Sequence, residues 1–431
     1  MKYYSLNHNS KPTLFQDAVK RGLAPDRGLY FPETITKLPN TFFEEIEDMS
    51  ITEMAYKVIK PYVGNQIKKE KLLEIIEETL DFDFPVIKIT ENIASLELFQ
   101  GPTLAFKDVG ARFMARCLGH FTENTNEKIT VLVATSGDTG GAVANGFYDV
   151  EGINVVILYP KGKVSDIQEK QLTTLGKNIT ALEVDGVFDD CQDMVKAAFL
   201  DASISEKIQL TSANSINVAR WLPQMFYFFI AYRKLKHLNK DLVFSIPSGN
   251  FGNICAGMMA QKMGLPIKHF IASTNVNDTI PNYLETGAYE PKPTIPTLSN
   301  AMDVSDPSNF IRIQKIFNND IFKLKKKLSG YSYTDSETKK ALKEIYEING
   351  YVADPHGAIG YLGLKKYLEN NEGDIYGVFL ETAHPVKFLD TVRNALEIDI
   401  EIPERLKETL TRDKVSIPIK DFTDLKEYLL R

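Results

Sequence analysis

Three cysteines in 431 residues are too few, and too scattered, for a disulfide framework or a zinc site. Cys117, Cys191 and Cys255 form an odd set at wide spacing, as expected of reduced thiols in the cytoplasm. An excess of positive charge is missing too. Lys and Arg number 50 against 57 Asp and Glu, a net charge of −7, so the clustered cations of a general nucleic-acid binder are not there. Long apolar runs are absent: the longest uninterrupted one, Met225 to Tyr232, falls far short of the roughly 20 residues needed to span a bilayer. The opening Met1-Lys2-Tyr3-Tyr4-Ser5-Leu6-Asn7 has no apolar signal core. Internal repeats and low-complexity segments are also lacking. What is present is an ordinary globular balance, 43% hydrophobic and 25% charged, which excludes a disordered or collagen-like chain. The length suggests about two to three domains at roughly 150 residues each. The expectation is a cytoplasmic protein of metabolic-enzyme size, with no nucleic-acid partner, no membrane span and no metal site, as a monomer or small homo-oligomer.

The first ~85 residues differ from the rest. Gly22, Pro25, Gly28 and Pro32 punctuate an irregular opening, and two helical patterns follow. Ser50-Ile51-Thr52-Glu53 has the form of a capping box before the stripe Met54, Val58, Ile59. Leu72, Leu73, Ile75, Ile76 and Leu80 form the second stripe. The division read from this is 1–85 as a small, mostly helical N-terminal region and 86–431 as an α/β body. In that body Val- and Ile-rich runs at Ile129–Ala134, Ile153–Leu158, Thr180–Val184, Leu242–Ile246, Ile267–Ala272 and Ile375–Leu380 alternate with helical periodicity. That alternation predicts parallel sheet with helices on both faces. The aromatic stretch Arg220–Leu235 reads as a buried helix, and the Lys- and Glu-rich stretch Lys323–Glu347 as a solvated helical face.

Ligands of open parallel sheets bind beyond the carboxyl ends of the strands. Gly101-Pro102-Thr103-Leu104-Ala105-Phe106-Lys107-Asp108 places Lys107 at a helix start. The helix dipole and the apolar neighbours Leu104 and Phe106 favour its neutral amine, the form that makes a Schiff base. The alternative is a solvated lysine beside an Asp108 that complements the dipole. Ala134-Thr135-Ser136-Gly137-Asp138-Thr139-Gly140 follows a strand and opens a helix, which is an anion site or a plain cap by Asp138 or Thr139. Ser248-Gly249-Asn250-Phe251-Gly252-Asn253 again joins strand to helix. It carries no dinucleotide or Walker signature, so it suits a single phosphate ester, or it is only a tight turn. Thr382-Ala383-His384-Pro385 follows the last strand; Thr382 offers a neutral hydroxyl, and His384 reads as a structural hydrogen-bonder more readily than as a base. Asn214 and Arg220 sit at a further helix start, where Arg suits bidentate anion binding or is a surface residue beside a capping Asn. One lysine, one phosphate loop, one carboxylate-type loop and one hydroxyl, all at strand ends, are what a pyridoxal phosphate enzyme needs.

These segments, with Gly28-Leu29-Tyr30-Phe31-Pro32, Thr274-Asn275-Val276-Asn277-Asp278 and Leu298-Ser299-Asn300-Ala301-Met302-Asp303, closely resemble the threonine synthase family in its bacterial and fungal long-chain group. The resemblance spans nearly the whole chain in order. It implies a fold type II, tryptophan-synthase-like pyridoxal phosphate enzyme with two open parallel-sheet subdomains, roughly 125–215 forming the smaller, substrate-side one. It further implies pyridoxal 5'-phosphate as cofactor and O-phospho-L-homoserine as small-molecule substrate, converted with water to L-threonine and phosphate. By the same resemblance Lys107 is the Schiff-base lysine and the acid–base group. Gly249, Asn250, Phe251, Gly252 and Asn253 hold the cofactor phosphate, and Thr382 partners the pyridine nitrogen. Thr135, Ser136, Gly137 and Thr139 take the substrate carboxylate, and Asn214 and Arg220 its phosphate. Asp138 stands where related enzymes often carry Asn, and either touches the cofactor or caps its helix. The neighbouring expectations are another fold type II lyase, such as a serine or threonine dehydratase, or a silent cofactor-binding relative.

Overall fold

Near-continuous runs of Val, Ile and Leu become the inner strands of two sheets, because a strand covered on both faces has no polar side to show. The computed structural model describes every residue except 124, 126 and 127. The larger sheet has six strands in the order Leu328–Ser332, His269–Thr274, Asp241–Pro247, Ile375–Glu381, Ile93–Glu97 and Val86–Lys88. All its pairs are parallel except the last, where Val86–Lys88 runs antiparallel at the edge. The smaller sheet is parallel throughout, ordered Ile417–Ile419, Ile179–Val184, Ile153–Pro160, Ile129–Ala134 and Gln209–Ser212.

Register decides where the site lies. Ser245 pairs with Phe379 and Phe379 with Ser95. The carboxyl ends at Pro247, Glu381 and Glu97 therefore open on one edge, and the segments leading to Asn250, Thr382 and Lys107 leave that edge together. Thr135 and Asn214 follow two paired strands of the smaller sheet, Ile129–Ala134 and Gln209–Ser212, in the same way.

Four of the five smaller-sheet strands fall within 125–215. The fifth returns from the far end of the chain, and the helix Phe422–Leu430 packs behind it through Leu425 and Leu429. The N-terminal region is helical in Phe15–Arg21, Ile51–Val63 and Lys69–Thr79, with Ser50 accepting from the Glu53 amide at 3.1 Å. It also carries a small antiparallel sheet, Thr13–Leu14, Lys2–Ser5 and Tyr30–Pro32. The aromatic stretch is buried as expected, with Trp221 and Phe226 to Phe229 inaccessible, but it bends at the 3-10 turn Leu222–Gln224, where Pro223 interrupts the ladder. Lys323–Glu347 is not one helical face. Leu328–Ser332 adds an edge strand beside His269–Thr274 and separates the helices Ile321–Lys325 and Asp335–Asn349. No helix among the described residues is long and apolar enough to cross a membrane.

Candidate active site

The segment after Glu97 is tied to the end of the last large-sheet strand before it reaches Lys107. The Phe106 amide donates to the Thr382 carbonyl at 2.9 Å and the His384 amide to the Leu104 carbonyl at 3.0 Å. Leu104 adopts φ 59°, a left-handed turn that redirects the chain into the helix Lys107–Thr122. Asp108 is not a dipole ornament on the surface. It is buried and accepts from the Thr103 amide at 2.9 Å and the Thr103 hydroxyl, which folds the loop. Lys107 Nζ makes no hydrogen bond or ion pair among the described residues; it lies 5.8 Å from the centroid of the Phe106 ring. Burial pushes its amine down to about 8, with the Lys387 and Arg220 charges adding to the effect and Asp138 opposing it.

Lys107 faces a cavity of about 170 Å³ between the two sheets. Thr135, Ser136, Thr139, Asn214, Arg220, Gly249, Asn250, Phe251, Gly252, Asn253 and Thr382 line it as well. Gly137 and Asp138 do not.

In the loop after Pro247, Phe251 takes φ 58° and forms the N-cap of the helix Gly252–Lys262. This helix opens at the cavity, which Gly252 and Asn253 line, and first-turn amides have no backbone acceptor within their own helix; that of Ile254 is taken by Asn253 Oδ1 at 2.9 Å. Asn250 bridges outward, its Oδ1 accepting from the Ser308 amide at 2.6 Å. Gly249 has no room for a side chain, since a Cβ would come within 2.9 Å of the Ala301 carbonyl oxygen and Met302 Cα.

The loop after Ala134 is organised by Thr135, whose hydroxyl accepts from the amides of Gly137 at 3.0 Å and Gly140 at 2.8 Å. Gly137, at φ 139°, is the N-cap of the helix Asp138–Gly146. Asp138 therefore caps nothing with its side chain. Its carboxylate pairs with buried Lys387 at 2.6 Å and accepts from Gln168 Nε2 at 3.0 Å. Burial alone would raise this acid, but the Lys387 and Lys107 charges hold it well below the usual range. Ser136 and Thr139, half-buried, are left facing the cavity.

Arg220 is buried and has no carboxylate within ion-pair distance among the described residues. Its Nη1 donates to the Ala213 carbonyl, while its Nε has no partner among the described residues. Desolvation draws its pKa down to about 10. A buried guanidinium in this condition is poised for an incoming anion. His384 is a structural hydrogen-bonder: Nδ1 accepts from the Val386 amide at 3.1 Å, the ring meets Phe99, and it lies off the cavity.

Sequence reasoning gave no site role to several lining residues, among them Ser215, Asn300 and Asp303, and missed His356 altogether. The signal for His356 was present in Asp354-Pro355-His356, an N-cap followed by Pro at the first helical position.

Residues 91–379 match the family model described as pyridoxal-phosphate dependent enzyme, and with the two-sheet architecture this defines the class, a pyridoxal-phosphate-dependent enzyme of fold type II. Residues 2–80 match "Threonine synthase N terminus" and 357–429 "Threonine synthase, C-terminal". Threonine synthase of Buchnera aphidicola subsp. Baizongia pistaciae is 44% identical over the whole of both chains. The crystal structure of threonine synthase from Escherichia coli superposes with a TM-score of 0.94 at 41% identity, covering 100% of this chain and 99% of that one. The pyridoxal-phosphate-bound threonine synthase from Brucella melitensis gives 0.93 at 33%, covering 100% and 98%. The chain belongs to the threonine synthase family.

The chain's own atoms fit the cofactor. Among the described residues Lys107 is uncommitted, Gly249 keeps the cavity wall free of a side chain that the Ala301 and Met302 backbone would not admit, and unpartnered polar atoms remain at Arg220 and His356.

Proposed function

We propose that this chain converts O-phospho-L-homoserine and water into L-threonine and phosphate, the last step of threonine biosynthesis, in the cytoplasm. The observation that carries the reading is the pair Lys107 and Arg220. Among the described residues, a lysine without a partner and a buried guanidinium without a carboxylate face one cavity, and the guanidinium charge helps to hold the lysine down. The first needs an aldehyde cofactor, the second an anionic substrate.

When bound, pyridoxal phosphate supplies the electron sink that acidifies the α- and then the β-hydrogens of the substrate. Gly249, Asn250, Phe251, Gly252 and Asn253 hold its phosphate on backbone amides, and Thr382 offers its hydroxyl to the pyridine nitrogen. A hydroxyl does not force that nitrogen to be protonated. Lys107, drawn toward neutrality, takes and returns the proton at Cα. Ser136 and Thr139 bind the substrate carboxylate, whereas Gly137 lies off the cavity with its amide on the Thr135 hydroxyl and serves the turn. Thr135 acts by shaping that loop, its hydroxyl being occupied by the Gly137 and Gly140 amides. Arg220 and Asn214 hold the leaving phosphate. Asp138 acts through Lys387 and through its charge on Lys107. The full-length kinship with threonine synthases supports this reading over a dehydratase.

A product assay tests it. Phosphate and threonine should form together from O-phosphohomoserine; 2-oxobutyrate from threonine as the main activity would overturn it.

A further inference from the structure

One ionisable cluster outside these assignments reaches the cavity. Asp354 is the N-cap of the helix Pro355–Asn370, its Oδ1 accepting from the His356 amide at 2.6 Å and the Gly357 amide at 3.3 Å. The same Oδ1 lies 2.6 Å from His356 Nδ1, and Oδ2 accepts from the Ala383 amide at 3.2 Å. Glu381 sits behind, accepting from the Asp354 amide at 3.0 Å. Burial and the charge of Asp354 push Glu381 well up, so it is the neutral acid of the two. Burial would raise Asp354 as well, but the facing imidazole holds it below its ordinary value.

Asp354 accepts from three backbone amides and so meets Nδ1 as an acceptor, and Nε2 is the ring nitrogen left without a partner among the described residues. His356 is 2% exposed, its ring is wedged against Phe388 at 4.8 Å between centroids, and Nε2 has no partner among the described residues. The residue lines the same cavity as Lys107 and Thr382. A histidine kept only for packing has no need to bury an unsatisfied nitrogen there. The two carboxyls that line the cavity are already engaged, Asp303 by the Thr297 amide and hydroxyl and by Asn275, and Asp306 by the Tyr289 hydroxyl.

The reaction proposed above removes protons from Cα, from Cβ and from water, and places them on Cγ, on Cα and on phosphate. We infer that His356 is a catalytic residue of the water-addition half: its Nε2 takes the proton of the water that adds at Cβ. This rests on the threonine-forming reading. In the step an O–H bond of water breaks and its proton goes to Nε2. The oxygen bonds to Cβ, and the π pair of the Cα–Cβ double bond is left at Cα, where a proton later closes it. The imidazolium, beside Asp354, then gives its proton to the phosphate freed earlier in the turnover, which departs as hydrogenphosphate. Asp354 is the positioning residue, holding the tautomer and the ring.

The test uses the holoenzyme and His356→Gln. The variant should keep the visible cofactor absorption band and the exchange of the substrate α-hydrogen with D2O. Threonine formation should fall about 10²-fold or more, phosphate release should fall far less, and 2-oxobutyrate and ammonia should replace threonine as the unsaturated product hydrolyses. Unchanged threonine formation, or phosphate and threonine falling by the same factor, would overturn the inference. A second measurement needs no variant. Nitrogen-15 NMR of the cofactor-free wild type should show His356 protonated at Nδ1 and bare at Nε2; the opposite tautomer overturns the proposal even if His356→Gln does not fold. Wild-type protein that releases no phosphate from O-phosphohomoserine would instead overturn the underlying reading, and the inference with it.

Discussion

The backbone amide of Phe106 donates to the carbonyl of Thr382 at 2.9 Å, joining two residues 276 positions apart. A bridge between Ala105 and Ala383 continues the contact. Lys107 and Thr382 are thereby set on one rigid seam, so the amine and the hydroxyl face the cavity in a fixed relation. Positioning to within fractions of an ångström is what catalysis from two distant segments requires.

Lys107→Ala should abolish the visible absorption band of the lysine-linked cofactor and lower threonine formation by about 10³-fold or more, as expected for loss of a proton-transfer group. Absorption spectroscopy with a phosphate assay checks both. Retention of the band would show that another amine carries the cofactor.

Capture of pyridoxal phosphate by the cofactor-free protein should accelerate with pH through about 8, the value to which burial lowers the Lys107 amine. The sign follows because only the neutral amine attacks, and its fraction grows as the pH rises past that value. Stopped-flow absorbance across pH reads the midpoint; a midpoint near the ordinary lysine value of ~10.4 would contradict the desolvated setting.

Arg220→Lys keeps a positive charge but loses the fork, so KM for O-phosphohomoserine should rise and kcat/KM fall by about 10–100-fold, equivalent to about 1.5–3 kcal/mol for a charged hydrogen bond. Steady-state kinetics decides it. An unaltered KM would remove Arg220 from the substrate-phosphate site.

Gly249→Ala places a Cβ against backbone atoms of Ala301 and Met302 at 2.9 Å, which no side-chain rotation relieves. The wall must shift, and cofactor affinity should fall by more than kcat does. Equilibrium titration with pyridoxal phosphate, followed by absorbance, measures the loss.

Lys387→Met leaves Asp138 buried with Gln168 as its remaining hydrogen-bond partner. Breaking such a pair costs about 3–5 kcal/mol, and adding Asp138→Asn to the variant should recover part of it. The folded Asp138 acid is depressed below its usual range. Its contribution is therefore present above the unfolded value of ~3.9 and erodes as the pH falls below that, narrowing the gap between wild type and Lys387→Met. Urea denaturation at a series of pH values tests both statements.

The inner strands were legible because burial on two faces demands β-branched, apolar runs: Ile129–Ala134 begins and ends where its sequence pattern does. Four edge strands, Val86–Lys88, Gln209–Ser212, Leu328–Ser332 and Ile417–Ile419, escaped the reading. An edge is covered on fewer sides and tolerates Gln, Ser, Gly and Pro. Ile93–Glu97 escaped for another reason: it is an inner strand of five residues whose Ala94 and Ser95 are too small to give a clear apolar run. The alternatives left open at Lys107, in the loop after Pro247 and at Arg220 turn on neighbours that no local pattern names.

The sequence by itself determined the alternation of strand and helix, the loops at strand ends, and which residue types stand in them, because these depend on periodicity and on the backbone freedom of neighbouring residues. Tertiary structure decided which of those residues share a cavity and in what electrical state. Asp138 turned to Lys387, Thr135 spent its hydroxyl on its own loop, and His356 was oriented by Asp354 with one nitrogen left bare. Charge, desolvation and hydrogen-bond satisfaction are properties of neighbourhoods, and in this chain the neighbours come from distant segments, as Lys387 and the Thr103 carbonyl show with their separation of 284.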